Sequence, residues 1–152
     1  MAGQYWLAKT EPAVFSIDDL QAKKKTLWDC VRNYQARNYL KAMQLGDQVF
    51  IYHSNAEPSG IAGLARVSKS AIPDPTQFEL EGEYFDAKAT RENPRWFAPE
   101  FSFQAKFPNF IGLPELRKQA GLKEMLLLQR GSRLSVQPVT VKQAGIISKL
   151  AG

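Results

Sequence analysis

The chain has 152 residues, of which 44% are apolar, 23% charged and 11% aromatic, the proportions of one globular domain and not of a disordered chain. One cysteine, Cys30, and one histidine, His53, exclude a disulfide framework, a Cys-rich zinc module and His-pair metal motifs. The net charge is +5, from 20 Lys and Arg against 15 Asp and Glu, and its placement is uneven enough to matter.

In chain order, Met1 to Trp6 shows neither a basic n-region nor an apolar h-region, so no secretory leader is expected. Tyr5-Trp6-Leu7-Ala8 predicts a first strand, closed by Lys9-Thr10-Glu11-Pro12. Ser16 reads as a helix N-cap, with Asp18 and Asp19 in the first turn. Asn33 to Met43 is the clearest helix: Ala36, Tyr39, Leu40 and Met43 share one side, and Tyr34, Arg37, Asn38 and Lys41 the other. Gly46-Asp47 turns into Val49 to His53, apolar on both faces and therefore a central strand. Ile61 to Val67 is a further strand, ended by Pro73-Asp74-Pro75.

Phe78-Glu79-Leu80-Glu81 alternates, as do Phe101, Phe103, Ala105 and Phe107 with their polar neighbours, and both predict half-buried strands. Lys88 to Pro99, with Asn93-Pro94, reads as the longest loop. Pro114 opens a short helix through Lys118. Leu134-Ser135-Val136 is a last short strand and Val141 to Leu150 a closing helix. Five or six strands interrupted by short helices, without regular strand–helix alternation, predict an α+β fold around a small barrel within a single domain, 1–152. The longest apolar run, Met125 to Leu128, is far too short for a membrane span. With one unpaired cysteine, this leads to the expectation of a cytoplasmic protein with no membrane partner.

Residues 20–42 carry Lys23, Lys24, Lys25, Arg32, Arg37 and Lys41 against Asp29 alone, so the entire surplus lies there. Such a patch suits phosphates or acidic lipid, and it also serves solubility alone. Within it runs Thr26-Leu-Trp28-Asp29-Cys30-Val31-Arg32-Asn33-Tyr34-Gln35-Ala36-Arg37-Asn38. Trp28 and Tyr34 offer ring faces for a base. Asp29, Asn33, Gln35 and Asn38 offer groups that read a Watson–Crick edge, and Arg32, Arg37 and Lys41 suit flanking phosphates. The same run equally fits a helix start with a buried Trp and a solvated basic face. Tyr52-His53-Ser54-Asn55 at a strand end is a second polar cluster.

No Walker sequence, dinucleotide glycine fingerprint, nucleophile elbow or zinc-deaminase ligand set is present. No cofactor or metal is expected. Enzymatic attack on a base would fall to Asp29, Glu11 or Cys30 beside His53. A third possibility is a protein-interaction module whose basic patch docks an acidic partner.

Taken together, Tyr5 to Pro12, Phe15-Ser-Ile-Asp-Asp-Leu20, Trp28 to Asn38, Tyr52-His-Ser-Asn55 and Arg133-Leu-Ser-Val136 resemble the EVE domain, a PUA-like family. The resemblance covers nearly the whole chain and implies a five- or six-stranded pseudobarrel with short peripheral helices. It also implies a non-enzymatic reader of nucleic acid, DNA or RNA, that holds a flipped, methylated cytosine-like base, with no obligate protein partner. Residue by residue, Trp28, Asp29, Asn33, Tyr34 and Gln35 match the motif near the base pocket, and His53, Ser54 and Asn55 the strand-end motif facing it. Lys9, Glu11, Pro12, Arg133 and Ser135 match further positions, expected at the pocket rim.

Two positions depart from the family pattern. Cys30 stands where a glycine is usual, which alters a backbone conformation open to glycine or places a thiol in the pocket. Gln143-Ala144 replaces a pair that is more often acidic then aromatic. The basic N-terminal extension of animal members is missing, so a bacterial origin is expected.

Overall fold

The computed structural model describes residues 3–152; Met1 and Ala2, the start of the stretch read for a leader, lie outside the described residues. Strand β1 (Tyr5–Thr10) pairs in parallel with β3 (Gln48–His53) and antiparallel with β6 (Val136–Val139). On the other side of β3 follow β4 (Gly60–Pro73), β5 (Phe97–Gly112) and β2 (Lys25–Leu27), so the six-stranded mixed sheet runs β2-β5-β4-β3-β1-β6. The long strands β4 and β5 change register at four points. Each irregularity sharpens the twist, which lets a sheet of this length coil into a pseudobarrel. The fold is an α+β, six-stranded pseudobarrel with short peripheral helices.

Alternation along the strands separates two cores. Trp6, Ala8, Val49 and Ile51 point into one, with Leu20, Trp28, Leu40 and Phe101. Leu7, Phe50 and Tyr52 point into the other, with Ile61, Leu116, Leu122 and Ile147. That division is why Val49 to Tyr52 is apolar on both faces. The first core is anchored by Asp47, whose buried carboxylate accepts bonds from Gln4 N–H, Gln44 N–H and the Trp6 indole at 2.9–3.1 Å.

Helix α1 (Ile17–Lys23) starts in a capping box between Ser16 and Asp19, and α2 (Tyr34–Ala42) is capped by the Asn33 side chain. Helix α3 (Leu113–Arg117) begins with Pro114 in its first turn. Helix α4 (Val141–Ala151) starts in a second capping box, in which Gln143 accepts from Thr140 N–H. The unusual Gln143-Ala144 pair therefore has a local use, since Ala144 is buried against the second core.

Three expectations are corrected, and one strand, β2, is new. Phe78 to Glu81 is no strand: Pro75–Phe78 forms a 3-10 turn, and a further turn follows at Glu79. The cause is Gln77, fully buried, whose amide donates to the carbonyls of Asp74 and Trp96 and accepts from the N–H groups of Arg95 and Trp96. Those bonds hold the segment against its own return strand, leaving Leu80 in solvent. The last strand begins at Val136 and runs on through Pro138, which a sheet edge tolerates. β2 is three residues of a basic stretch with no alternation to reveal it. The Lys88 to Pro99 loop gives way to β5 at Phe97.

Gly63 sits where a Cβ would overlap the Ala105 carbonyl oxygen and stand 2.6 Å from Ile17 Cδ1. Gly63→Ala is expected to cost about 1–3 kcal/mol through this overpacking, read as a lowered Tm in thermal unfolding.

Candidate functional site

Trp28 leaves β2 with its N–H on the Pro99 carbonyl, 2.8 Å away. Its ring is only 8% exposed, lying 5.0 Å from the Phe101 ring and meeting Phe15 edge-on at 6.3 Å. The chain then bends through Cys30 at φ +68°, the left-handed conformation that favours glycine and is uncommon for a cysteine. The glycine-type geometry is therefore kept without the glycine.

Asp74 holds this bend. One carboxylate oxygen accepts from Cys30 N–H at 2.7 Å and Arg32 Nη1 at 3.1 Å, and the other from Thr76 N–H at 2.8 Å and Thr76 Oγ1 at 2.6 Å. Burial alone would raise this carboxyl. The bonds from the Thr76 hydroxyl, Cys30 N–H, Thr76 N–H and Arg32 outweigh it and hold the group below its ordinary range. Arg32 continues to the Thr76 hydroxyl and the Tyr84 carbonyl, both at 2.9 Å. Its guanidinium lies between the rings of Tyr84 and Trp96, 5.5 and 5.2 Å from their centroids.

Beside this loop opens a cleft of about 830 Å³. Phe15, Leu27, Trp28 and Val31 give it apolar surface, and Thr10, Asp29, Ser54 and Ser135 give it hydrogen-bonding groups. Lys9, Lys23, Arg32 and Arg133 reach it against two carboxylates, Glu11 and Asp29. Burial pushes the Lys9 ammonium down from its ordinary pKa. The Cys30 thiol is pushed up to about 11, first by burial and then by the Asp29 carboxylate, so it stays protonated at neutral pH and is a poor nucleophile there.

Of the residues singled out in the sequence, the cleft gathers Lys9, Glu11, Trp28, Asp29, Cys30, Arg32, Ser54, Arg133 and Ser135. The others stand elsewhere. Asn33 is spent on capping, accepting from Ala36 N–H at 2.9 Å. Tyr34 stacks on Trp96 at 4.9 Å, with Arg37 and Arg95 against its ring at 4.8 and 5.5 Å. Gln35 bonds the Tyr39 hydroxyl, Arg37 the Arg95 carbonyl, and Lys41 lies over Phe97.

His53 Nε2 accepts from Ile17 N–H at 3.1 Å, at the first residue of α1. Burial, opposed by Asp18 and assisted by Lys106, lowers its pKa. Asn55 donates to Glu11 and lines a neighbouring cavity, while Pro12 is outside both.

Sequence reasoning missed Phe15, Val31 and Tyr84 as lining residues and Asp74 as the organiser. Phe15 directly precedes a helix cap, so it reads as a helix start. Tyr84 lies in a stretch without periodicity. Asp74 lies between two prolines, which signal only a turn. Among the described residues, no group of three or more His, Cys, Asp or Glu is arranged to hold a metal ion.

A family profile for the EVE domain matches residues 4–150. Human thymocyte nuclear protein 1 is 42% identical over 165 residues, covering 96% of this chain and 73% of that protein. A crystal structure from Pseudomonas putida is 48% identical, covering 97% of this chain and 99% of its own, with a TM-score of 0.94. The human THYN1 protein, solved in complex with DNA containing 5-methylcytosine, is 41% identical, with 97% of each chain covered and a TM-score of 0.91.

Removing the Asp74 carboxylate strands Arg32 and two half-buried N–H groups, of Cys30 and Thr76. Asp74→Ala is expected to cost about 3 kcal/mol or more, measured by urea unfolding. Because the folded-state pKa is depressed, this contribution is present above about pH 4 and lost as pH falls further, so the variant's stability should fall less steeply in acid. At Cys30, substitution by glycine removes left-handed strain and is expected to stabilise by about 1 kcal/mol. Alkylation of the wild-type thiol should keep accelerating up to about pH 11; a plateau near pH 8 would contradict the protonated state.

Proposed function

The chain belongs to the EVE domain family, and from that premise we propose that it is a reader of DNA carrying a modified base, accepting one methylated cytosine-like base, turned out of its stack, in the cleft beside Trp28. The observation that carries this reading is the cleft itself: an apolar wall and hydrogen-bonding groups in one concavity, with more cations than carboxylates around it. Its volume lies within the range of small-ligand pockets. The human THYN1 protein bound to 5-methylcytosine DNA supplies the class of ligand.

The chemistry divides among the lining residues. Phe15, Leu27 and Val31 supply contact surface, while Trp28, with little exposure, acts as a wall and not as an open stacking face. A ring stacked on an aromatic side chain is worth about 1–3 kcal/mol, and burying a methyl group about 0.8 kcal/mol. The methyl alone therefore discriminates weakly. Selectivity against the other bases comes from bonds that they leave unmade at Asp29, Thr10, Ser54 and Ser135, whereas plain cytosine makes the same bonds and is told apart by the methyl alone. Lys23 and Arg133 meet phosphates near the mouth, whereas Arg32, already bonded to Asp74, positions the loop.

Of the four candidate reactive groups, Asp29, Glu11, Cys30 and His53, the last two are in a state that favours binding over base chemistry. The Cys30 thiol is protonated, and the Nε2 lone pair of His53 is committed to a backbone N–H.

Fluorescence anisotropy with DNA and RNA oligonucleotides carrying cytosine or 5-methylcytosine tests the reading. Wild type should prefer modified DNA by about fourfold, the worth of one buried methyl, and Asp29→Ala should weaken binding to both cytosine oligonucleotides about tenfold or more, consistent with about 1–3 kcal/mol for lost base contacts. Trp28→Ala is a poorer probe, because truncating a buried Trp costs about 3–5 kcal/mol of stability. Equal affinities for modified and plain oligonucleotides would refute the reading. Chemical conversion of the base, seen by mass analysis and abolished in Asp29→Asn, would replace it with an enzyme.

A further inference from the structure

We propose that a second cavity, joined to the cleft at Lys9 and Ser54, is the seat of a phosphate flanking the recognised base, so that the protein grips a nucleic-acid strand at two adjoining points. This assignment rests on the base-reading function for its choice of strand. The cavity measures about 570 Å³ and is reached by three cations, Lys9 from the end of β1, Arg117 from the end of α3, and Arg130. Tyr52 and Ser59 add hydroxyls. Among the described residues no Asp or Glu side chain lines it, and none of the three cations enters a salt bridge.

The contrast with the cleft decides what each takes. The cleft mixes four cations with Glu11 and Asp29 around apolar surface, which suits a base with polar edges. The second cavity presents cations, hydroxyls and the neutral amides of Asn55 and Gln129, with Leu113, Leu127 and Leu128 completing its lining. Such a concavity focuses field lines onto an anion of compact size. Arginine adds a donor fork matched to phosphate oxygens. Burial raises the pKa of the Tyr52 hydroxyl, and the Arg117 charge opposes that rise; both residues line the cavity.

Lys9 is the link. It lies on the wall of both concavities, half-buried and without a carboxylate partner among the described residues. A phosphate beside it restores the counter-charge that burial makes costly to lack. The basic run at residues 20–42 is not the source of this grip: all three cations come from outside it.

A double-mutant cycle between protein and ligand tests the proposal. The ligand is a DNA oligonucleotide with one 5-methylcytosine, fully charged or carrying one neutral methylphosphonate linkage immediately 5′ or 3′ of that base. Wild type is compared with R117Q/R130Q and with R117K/R130K. Arg117 and Arg130 are both exposed, and unchanged thermal unfolding verifies the fold.

The expected result is about a tenfold loss on neutralising one of the two linkages in wild type. R117Q/R130Q should lose a similar factor on the charged oligonucleotide and little more on the neutral one, and the lysine variant should recover part of the affinity. Losses that multiply independently at both linkages would overturn the assignment. So would inorganic phosphate binding that disappears in R117Q/R130Q without any linkage coupling, which would mark a free-phosphate site. Cytosine oligonucleotides separate the two readings: coupling without a preference for the methylated base sinks base reading and leaves the phosphate seat standing.

Discussion

Everything at the site hangs from one carboxylate. Asp74 is 1% exposed and ties two separate parts of the chain: its own turn through Thr76, and the loop after β2 through Cys30 N–H and Arg32, which carries the connection on to Tyr84. A left-handed cysteine costs about 1–2 kcal/mol, whereas hydrogen bonds to a charged group contribute about 1.5–3 kcal/mol each. The balance favours the strained bend, so the loop survives without the glycine. The same carboxylate neutralises Arg32, which removes that guanidinium from the pool of free cations and makes it a rigid strut.

From that strut an alternating stack extends outward. Tyr84, Arg32, Trp96 and Tyr34 follow one another, with Arg37 and Arg95 against the last ring. It fastens the long excursion between β4 and β5 to the start of α2, so that Tyr84 becomes a wall of the cleft. A single run of sequence thereby performs two tasks. Trp28 to Arg32 faces the cleft, whereas Asn33 to Arg37 builds the scaffold behind it. Helical geometry enforces the division, because the chain turns away at the Asn33 cap and carries the following side chains around α2.

The sequence disclosed what depends on near neighbours. Trp6 and Leu7 enter opposite cores because strand side chains alternate, and Ser16 caps α1 because a hydroxyl there meets the N–H three residues on. Asn33 reads both as the start of a helix and as a group for a base edge; its carbonyl oxygen is taken by the helix cap, and the residue stands outside the cleft lining. What stayed hidden depends on distant partners. Gln77 overrides the alternation of Phe78 to Glu81 by bonding Arg95 and Trp96, and Asp74 reaches 44 residues back to Cys30. No spacing within either segment encodes those contacts, and a lone carboxylate between prolines reads as a turn whatever it holds.

Charge illustrates the same limit in its sharpest form. Outside residues 20–42 the chain carries 14 charges of each sign, and a sum of zero suggests nothing to bind. Folding sorts those charges instead of averaging them. Lys9, Arg117, Arg130 and Arg133 converge on two adjoining concavities, where Glu11 is the sole carboxylate from the same neutral remainder. Within the basic run, Arg32 is cancelled by Asp74 and Arg37 is bonded to a carbonyl. Coulomb attraction falls with distance and is screened within about 8 Å at physiological salt, so a ligand responds to the few charges beside it and not to the total. A linear surplus marks where a chain is basic. Only the fold decides where it is attractive.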